Sequence, residues 1–138
     1  MRAVLDVNVI VSALINPQGP PGSVVTAALQ RRFVLVVCPR LLAEARDVVH
    51  RRRLRRFFDA EDADDLLTAV AGVADEAPDP VDPPSVGRDA DDDYLVALAR
   101  GTAAQLVTGD ADLLALDLGD LVICTPRAFL EEVPPRTS

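Results

Sequence analysis

The stretch LDVNVIVSAL, residues 5–14, decides how the chain is read. Its apolar, largely β-branched residues suit a buried strand, yet Asp6 and Asn8 stand inside the run. A carboxylate taken out of water is costly unless it is paired or hydrogen-bonded. AVLD, residues 3–6, reads as a short strand that ends on Asp6, whereas VNVIVSAL has the length and composition of either a strand or a helix. Neither capping nor a solvated face accounts for Asp6 in a strand of that composition, so a compensating partner is expected.

Outward from this stretch, short apolar runs alternate with helical patterns. NPQGPPGS (16–23) is a turn from which Ser23 can cap a helix through about Arg31. FVLVVC (33–38) is a second strand, and Pro39 suits the first turn of a helix carrying LLAEARDVV, with a further helical piece in RRRLRRFF. AEDADDLLTAVAGVAD (60–75) is another helix with an acidic first turn, and the proline-rich EAPDPVDPPSVG (76–87) is a loop. DDDYLVALARG, AQLVTG, DADLLAL, LVICT and PRAFLEEV then read as helix, strand, short helix, strand and helix. That order implies crossovers and a mainly parallel sheet covered on both faces, an α/β protein.

The 138 residues suit one domain, expected over residues 1–133, with 134–138 as a frayed tail. No apolar run approaches the ~18 residues of a membrane span and no secretory signal pattern opens the chain, so a soluble, cytoplasmic protein is expected. Cys38 and Cys124 each end a strand-like run without a partner at metal-ligand spacing, which reads as two free thiols. The formal charge of −8 argues against nucleic acid as a partner, but its distribution tempers that argument. Every basic residue is arginine, and a basic segment around RRRLRR stands apart from the acidic clusters RDADDD (88–93) and GDADLLALDLGD (109–120).

In open parallel sheets, ligands bind beyond the carboxyl ends of the strands. Asp6 ends the first strand and Asp110 follows AQLVTG after one glycine, so two residues far apart in sequence can meet at one edge. Leu41, Glu44, Ala45 and Val48 stand at helical spacing, which puts Glu44 at the border of a core-facing stripe; Asp92, Leu95, Val96 and Ala99 repeat the pattern. Asp91 and Asp93 then point roughly 100° to either side of Asp92. Each carboxylate also has a structural reading: Asp110, and Asp89 or Asp91, as helix caps, and Glu44 as the partner of Arg40 on a solvated face. Four converging carboxylates without Lys or His to neutralise them would repel one another, and the natural compensation is Mg²⁺ or Mn²⁺, hard cations that bind through oxygen and keep waters.

LDVNVIVSAL followed by GPP, the acidic residue of LLAEARDVV, DADDDYLVALA and LVTGDADLL together resemble the PIN-domain family of metal-dependent ribonucleases, and within it the toxins of bacterial toxin–antitoxin pairs. The resemblance spans nearly the whole chain. It implies a three-layer α/β/α sandwich whose carboxylates hold Mg²⁺ or Mn²⁺ for the cleavage of RNA phosphodiesters. Carried over by position, the metal-binding and catalytic carboxylates are Asp6, Glu44, Asp92 and Asp110, with Asp112 auxiliary and Asp91 or Asp93 as alternative registers. Asn8, Ser12 and Thr108 match polar positions that orient the site, and Val7 stands where the family often has threonine. The resemblance also implies an antitoxin that covers the acidic pocket and, together with apolar helices such as LLTAVAGVA, a homodimer. Arg51, Arg52, Arg53 and Arg55 could line an RNA path, form a partner groove, or be solvated surface balanced by Asp47, Asp59 and Asp62.

Other acidic-pocket chemistries fit less well. Receiver domains and haloacid-dehalogenase-type phosphatases depend on a lysine, and this chain has none. Metal-free ribonucleases use histidine pairs, and the single histidine, His50, lies in the arginine-rich segment. No phosphate-binding glycine loop or nucleophile elbow occurs. The alternative from another class is a catalytically silent PIN-like module that binds a partner protein or RNA; loss of one of the four acids would favour it, and all four are present.

Overall fold

The structure is a computed structural model that describes residues 1–86 and 90–135. Its core is a five-stranded parallel sheet in the order β3-β2-β1-β4-β5, formed by β1 (Arg2–Leu5), β2 (Val34–Val37), β3 (Asp75–Glu76), β4 (Gln105–Val107) and β5 (Ile123–Cys124). In the central strands, Ala3, Val4 and Leu5 of β1 and Leu106 and Val107 of β4 are fully buried, because a parallel sheet covered on both faces takes apolar residues at successive positions.

VNVIVSAL is helical. α1 (Val7–Ile15) begins directly after β1, and Asp6 is its N-cap, with a carboxylate oxygen accepting from the Asn8 N–H at 3.4 Å. Asp6 therefore occupies the corner between strand and helix, so capping accounts for part of its presence after all. α2 (Pro20–Leu29) starts at Pro20, with Gly19 as N-cap, and places Ser23 inside its first turn instead of at the cap. Proline is pre-organised for the first helical position, which sets the start earlier than the serine suggests. Gly22 packs on the preceding turn so closely that a Cβ there would lie 2.1 Å from the Pro17 carbonyl oxygen.

α3 (Pro39–Val49) has proline in its first turn, as expected, and RRRLRRFF contributes only a short 3₁₀ turn, Arg52–Leu54. α4 (Ala60–Val73) buries Ala63, Leu67 and Val70, so LLTAVAGVA turns its larger apolar side chains inward. α4 stops at Val73, short of the expected Asp75, and β3 takes Asp75 from the end of the expected helix and Glu76 from the start of the expected loop, pairing them with Val36 and Val37 of β2. Two exposed acids carry no apolar alternation, so this edge strand is made by backbone pairing alone. Of that segment, Gly87 lies outside the described residues, as does the cap expected at Asp89. α5 (Asp93–Gly101) follows a 3₁₀ turn over Ala90–Asp92, and α6 (Ala111–Leu114) and α7 (Pro126–Glu132) complete the chain. The tail is tied at its root, where Arg32 Nε donates to the Pro134 carbonyl at 2.9 Å; Arg136 to Ser138 lie outside the described residues.

The helices α1, α2, α3, α4 and α7 pack mainly on one another, while α5 packs on β1 and β4, which gives the three-layer α/β/α arrangement. Among the described residues no helix is long and apolar enough to cross a membrane.

Candidate functional site

From β1 the chain steps outward through β2 to β3, then returns to the other side of β1 as β4 and continues to β5. The reversal lies between β1 and β4, and a crevice opens beyond the carboxyl ends of strands where the order reverses. Asp6 follows β1 and Asp110 follows β4, so the topology sets both acids at that crevice.

Thr108 joins them. Its fully buried hydroxyl donates to Asp6 Oδ2 at 2.7 Å and accepts from the Asp110 N–H at 3.0 Å. Asp110 in turn caps α6, its Oδ1 accepting from the Asp112 N–H at 2.8 Å. Asp6 is only 6% exposed. Burial raises its carboxyl above the ordinary range, the Thr108 and Asn8 hydrogen bonds pull it back, and the charge of Asp110 pushes it up again. The Asp110 charge is felt at Asp6, so the two acids are electrostatic neighbours. Of the other polar positions expected to orient the site, Asn8 reaches Asp6 through its backbone N–H, and the exposed Ser12 contributes its carbonyl to the end of α1, where it accepts from the Asn16 N–H.

Glu44 is half-buried beside the buried Leu41 and Ala45 of α3, at the border of the core-facing stripe as its spacing implies, whereas the acids at the start of α5 depart from the helical extrapolation. Glu44 accepts a hydrogen bond from the Tyr94 hydroxyl. Arg40 does not pair with Glu44; its guanidinium lies 4.1 Å above the Tyr94 ring and 3.9 Å from Asp91, and its backbone N–H donates to Asp79 at 2.8 Å. Because the helix proper begins at Asp93, that residue is the buried one of the three, with its Oδ1 accepting from the Val86 N–H at 3.1 Å. Asp92 is half-buried and Asp91 exposed. Tyr94 and Arg40 were outside the expected site: each looks ordinary in sequence, a tyrosine in an apolar helix and an arginine in a first turn. The signal that could have found them is the spacing of Arg40 one helical turn before Glu44.

Among the described residues no group of three or more His, Cys, Asp or Glu side chains is gathered tightly enough to hold a metal ion. The expected four-carboxylate cage is therefore not preassembled. What is assembled is the pair Asp6 and Asp110, all oxygen donors, one of them held up in pKa by burial and by the other's charge. Mg²⁺ keeps several waters and binds through one or two carboxylates, so this pair fits such a cation without a complete protein cage.

The remaining candidates lie elsewhere. Arg51, Arg52 and Arg53 sit past the far end of α3, about 16 Å along the helix from its first turn, where Arg40 stands. Arg51 pairs with Asp47 at 3.8 Å; Arg55 turns inward, bonded to the Val49 carbonyl, with its Nε and Nη1 buried and lacking hydrogen-bond partners. His50, the C-cap of α3, is hydrogen-bonded to Asp64 of α4 at 2.6 Å. Both thiols are free, and burial pushes each up to about 11, which keeps them protonated and inert. An apolar cleft of about 470 Å³ runs between α1, α2 and α4, lined by Ile15, Val25, Leu29, Phe57 and Leu66 among others.

Comparison with known proteins agrees with this architecture. The chain is 31% identical, over an alignment covering 96% of it and 91% of the relative, to Uncharacterized protein MJ1680 of Methanocaldococcus jannaschii. Its fold is similar to the crystal structure of PAE2754 from Pyrobaculum aerophilum, with a TM-score of 0.68 at 16% identity over 96% of this chain and 89% of that one. It is also similar to VapBC2 from Rickettsia felis, crystallised bound to a DNA fragment from their promoter, with a TM-score of 0.61 at 14% identity over 91% of this chain and 98% of that one. The PIN domain family model matches residues 2–112, and the chain belongs to the PIN-domain family, whose members are generally nucleases.

Proposed function

We propose that this PIN-domain protein is a divalent-metal-dependent endoribonuclease, acting in the cytoplasm as the toxin of a toxin–antitoxin pair. The observation that carries the reading is the Asp6–Thr108–Asp110 connection at the strand-order reversal, where a single hydroxyl binds one acid and orients the backbone of the other. Asp6 and Asp110 would hold Mg²⁺ or Mn²⁺, with Glu44 and Asp92 completing the set and Asp112 beside it. The cation, when bound, supplies charge to offset a phosphodiester's and lowers the pKa of water. The chain's own share is to hold Asp6 fixed between the Thr108 hydroxyl and the Asn8 N–H, and to anchor Asp110 at the start of α6. Arg40, 3.9 Å from Asp91, is better placed for a substrate phosphate than the arginine run beyond α3.

Incubating purified protein with single-stranded RNA tests this reading. Cleavage should require Mg²⁺ or Mn²⁺, stop in excess EDTA, and be lost in Asp6→Asn. Equal cleavage in EDTA, or full activity of Asp6→Asn, would overturn it.

The apolar cleft favours an added role in binding protein. A small antitoxin with an apolar face fits a cleft carrying the exposed Phe57 and Ile15, and a homodimer could bury other apolar surface. Co-expression with a candidate antitoxin, followed by co-purification, tests the first, and light scattering at high concentration the second. A stable complex with no RNA cleavage under any metal would favour the silent-module alternative.

A further inference from the structure

We infer that Tyr94 is a positioning residue for Glu44, fixing one of its carboxylate oxygens so that the other alone is available to a bound cation. The inference rests on the metal-dependent reading of the Asp6–Asp110 edge. Tyr94 is 1% exposed, in the first turn of α5, and its hydroxyl donates to Glu44 Oε2 from α3. The ring alone would pack as phenylalanine does; a buried hydroxyl needs a partner, and here the partner is one of the four acids.

The contact is braced from outside. The Arg40 guanidinium lies 4.1 Å over the ring, closing its face, while the Arg40 backbone is fixed by Asp79 and the side chain reaches Asp91. Arg40 and Glu44 are one helical turn apart on α3, so the tyrosine is gripped between two residues of a single helix face. Glu44 is thereby kept from swinging out to Arg40, its neighbour of opposite charge. Groups that hydrogen-bond a metal ligand orient it, and losing them typically weakens metal binding by about 10–100-fold.

Tyr94 is the only tyrosine, and the chain has no tryptophan. Protein emission therefore comes from this one ring, and a phenol bonded to a carboxylate is quenched. The experiment measures tyrosine emission during Mg²⁺ titration of the metal-free protein, and Mn²⁺ binding by electron paramagnetic resonance. Wild type, Glu44→Gln and Tyr94→Phe are compared, with RNA cleavage followed against Mn²⁺ concentration. Emission should rise in Glu44→Gln and should respond to Mg²⁺ in wild type. Tyr94→Phe should bind Mn²⁺ about 10–100-fold more weakly, with turnover at saturating Mn²⁺ nearly unchanged. Wild-type affinity in Tyr94→Phe, or Mg²⁺ saturation that leaves wild-type emission unaltered, would overturn the inference and leave the metal reading standing. Absence of Mn²⁺ binding by wild type would remove the metal reading and this inference with it. If Tyr94→Phe does not fold, the emission of wild type and Glu44→Gln decides.

Discussion

Two buried aspartates, Asp6 and Asp93, are nearly equal in exposure, at 6% and 7%, and both stand where a helix begins. Their surroundings differ. Asp6 receives the Thr108 hydroxyl and faces a second acid, Asp110, and among the described residues no arginine or histidine forms an ion pair with it. Asp93 reaches back to the Val86 N–H and ties the loop before α5 to the start of that helix. Burial alone therefore does not mark a functional carboxylate. A buried acid that feels the charge of a second acid is set up for a cation; one that satisfies a loop N–H is set up to hold the chain.

The largest effect that would break this contrast is on catalysis. Asp110→Asn preserves a side-chain oxygen for the α6 cap, so the fold should be kept. It removes one of the two paired charges, and RNA cleavage should fall by roughly 10²–10³, the scale of losing a group that stabilises developing charge. Asp93→Asn should leave cleavage close to wild type. Equal losses in the two variants, measured as initial rates at saturating Mn²⁺, would erase the distinction.

The same contrast sharpens in stability. Asp93→Ala leaves the Val86 N–H without its acceptor and should destabilise the fold by about 1–3 kcal/mol in urea unfolding, with the Mn²⁺ affinity unchanged. Asp93→Asn should recover most of that loss. A drop in Mn²⁺ affinity in Asp93→Asn would move Asp93 into the metal site.

Much of this was legible in LDVNVIVSAL and LVTGD. The strand ends put Asp6 and Asp110 at one edge because alternating strands and helices leave few ways to order a parallel sheet. Other features had no local signal. β3 is two exposed acids recruited by backbone pairing to β2, which no periodicity announces. The triple aspartate was ambiguous because the helix begins at Asp93 after a 3₁₀ turn, so extrapolating the stripe of Leu95, Val96 and Ala99 back to Asp92 misjudges which acid is inward. Ser23 looked like a cap because serine favours that position, but two prolines started the helix earlier. The Tyr94–Glu44 contact joins residues 50 positions apart, and only the packing of α5 beside β1 and β4 creates it.

The smallest effect, and the most specific to Asp6, is on the pH dependence of stability without metal. Burial, with the charge of Asp110 adding to it, raises the Asp6 carboxyl above its ordinary 3.8 despite the hydrogen bonds from Thr108 and Asn8. Between that ordinary value, which the unfolded chain keeps, and the raised folded value, the native state holds a proton that the unfolded chain has released. Stability from this group is then complete below the unfolded value and is lost as pH rises through the folded one, opposite in sign to a salt-bridged carboxylate. Asp6→Asn cannot ionise, still caps α1 and still accepts from Thr108. In EDTA the wild type should therefore lose melting temperature relative to Asp6→Asn as pH is raised from about 4 to about 7, and the variant should melt higher at neutral pH. Millimolar Mn²⁺ should reverse the order by stabilising only the protein that binds it. Parallel melting curves across that range in EDTA would mean that ionising Asp6 costs the fold nothing, and the contrast with Asp93 would lose its electrostatic basis.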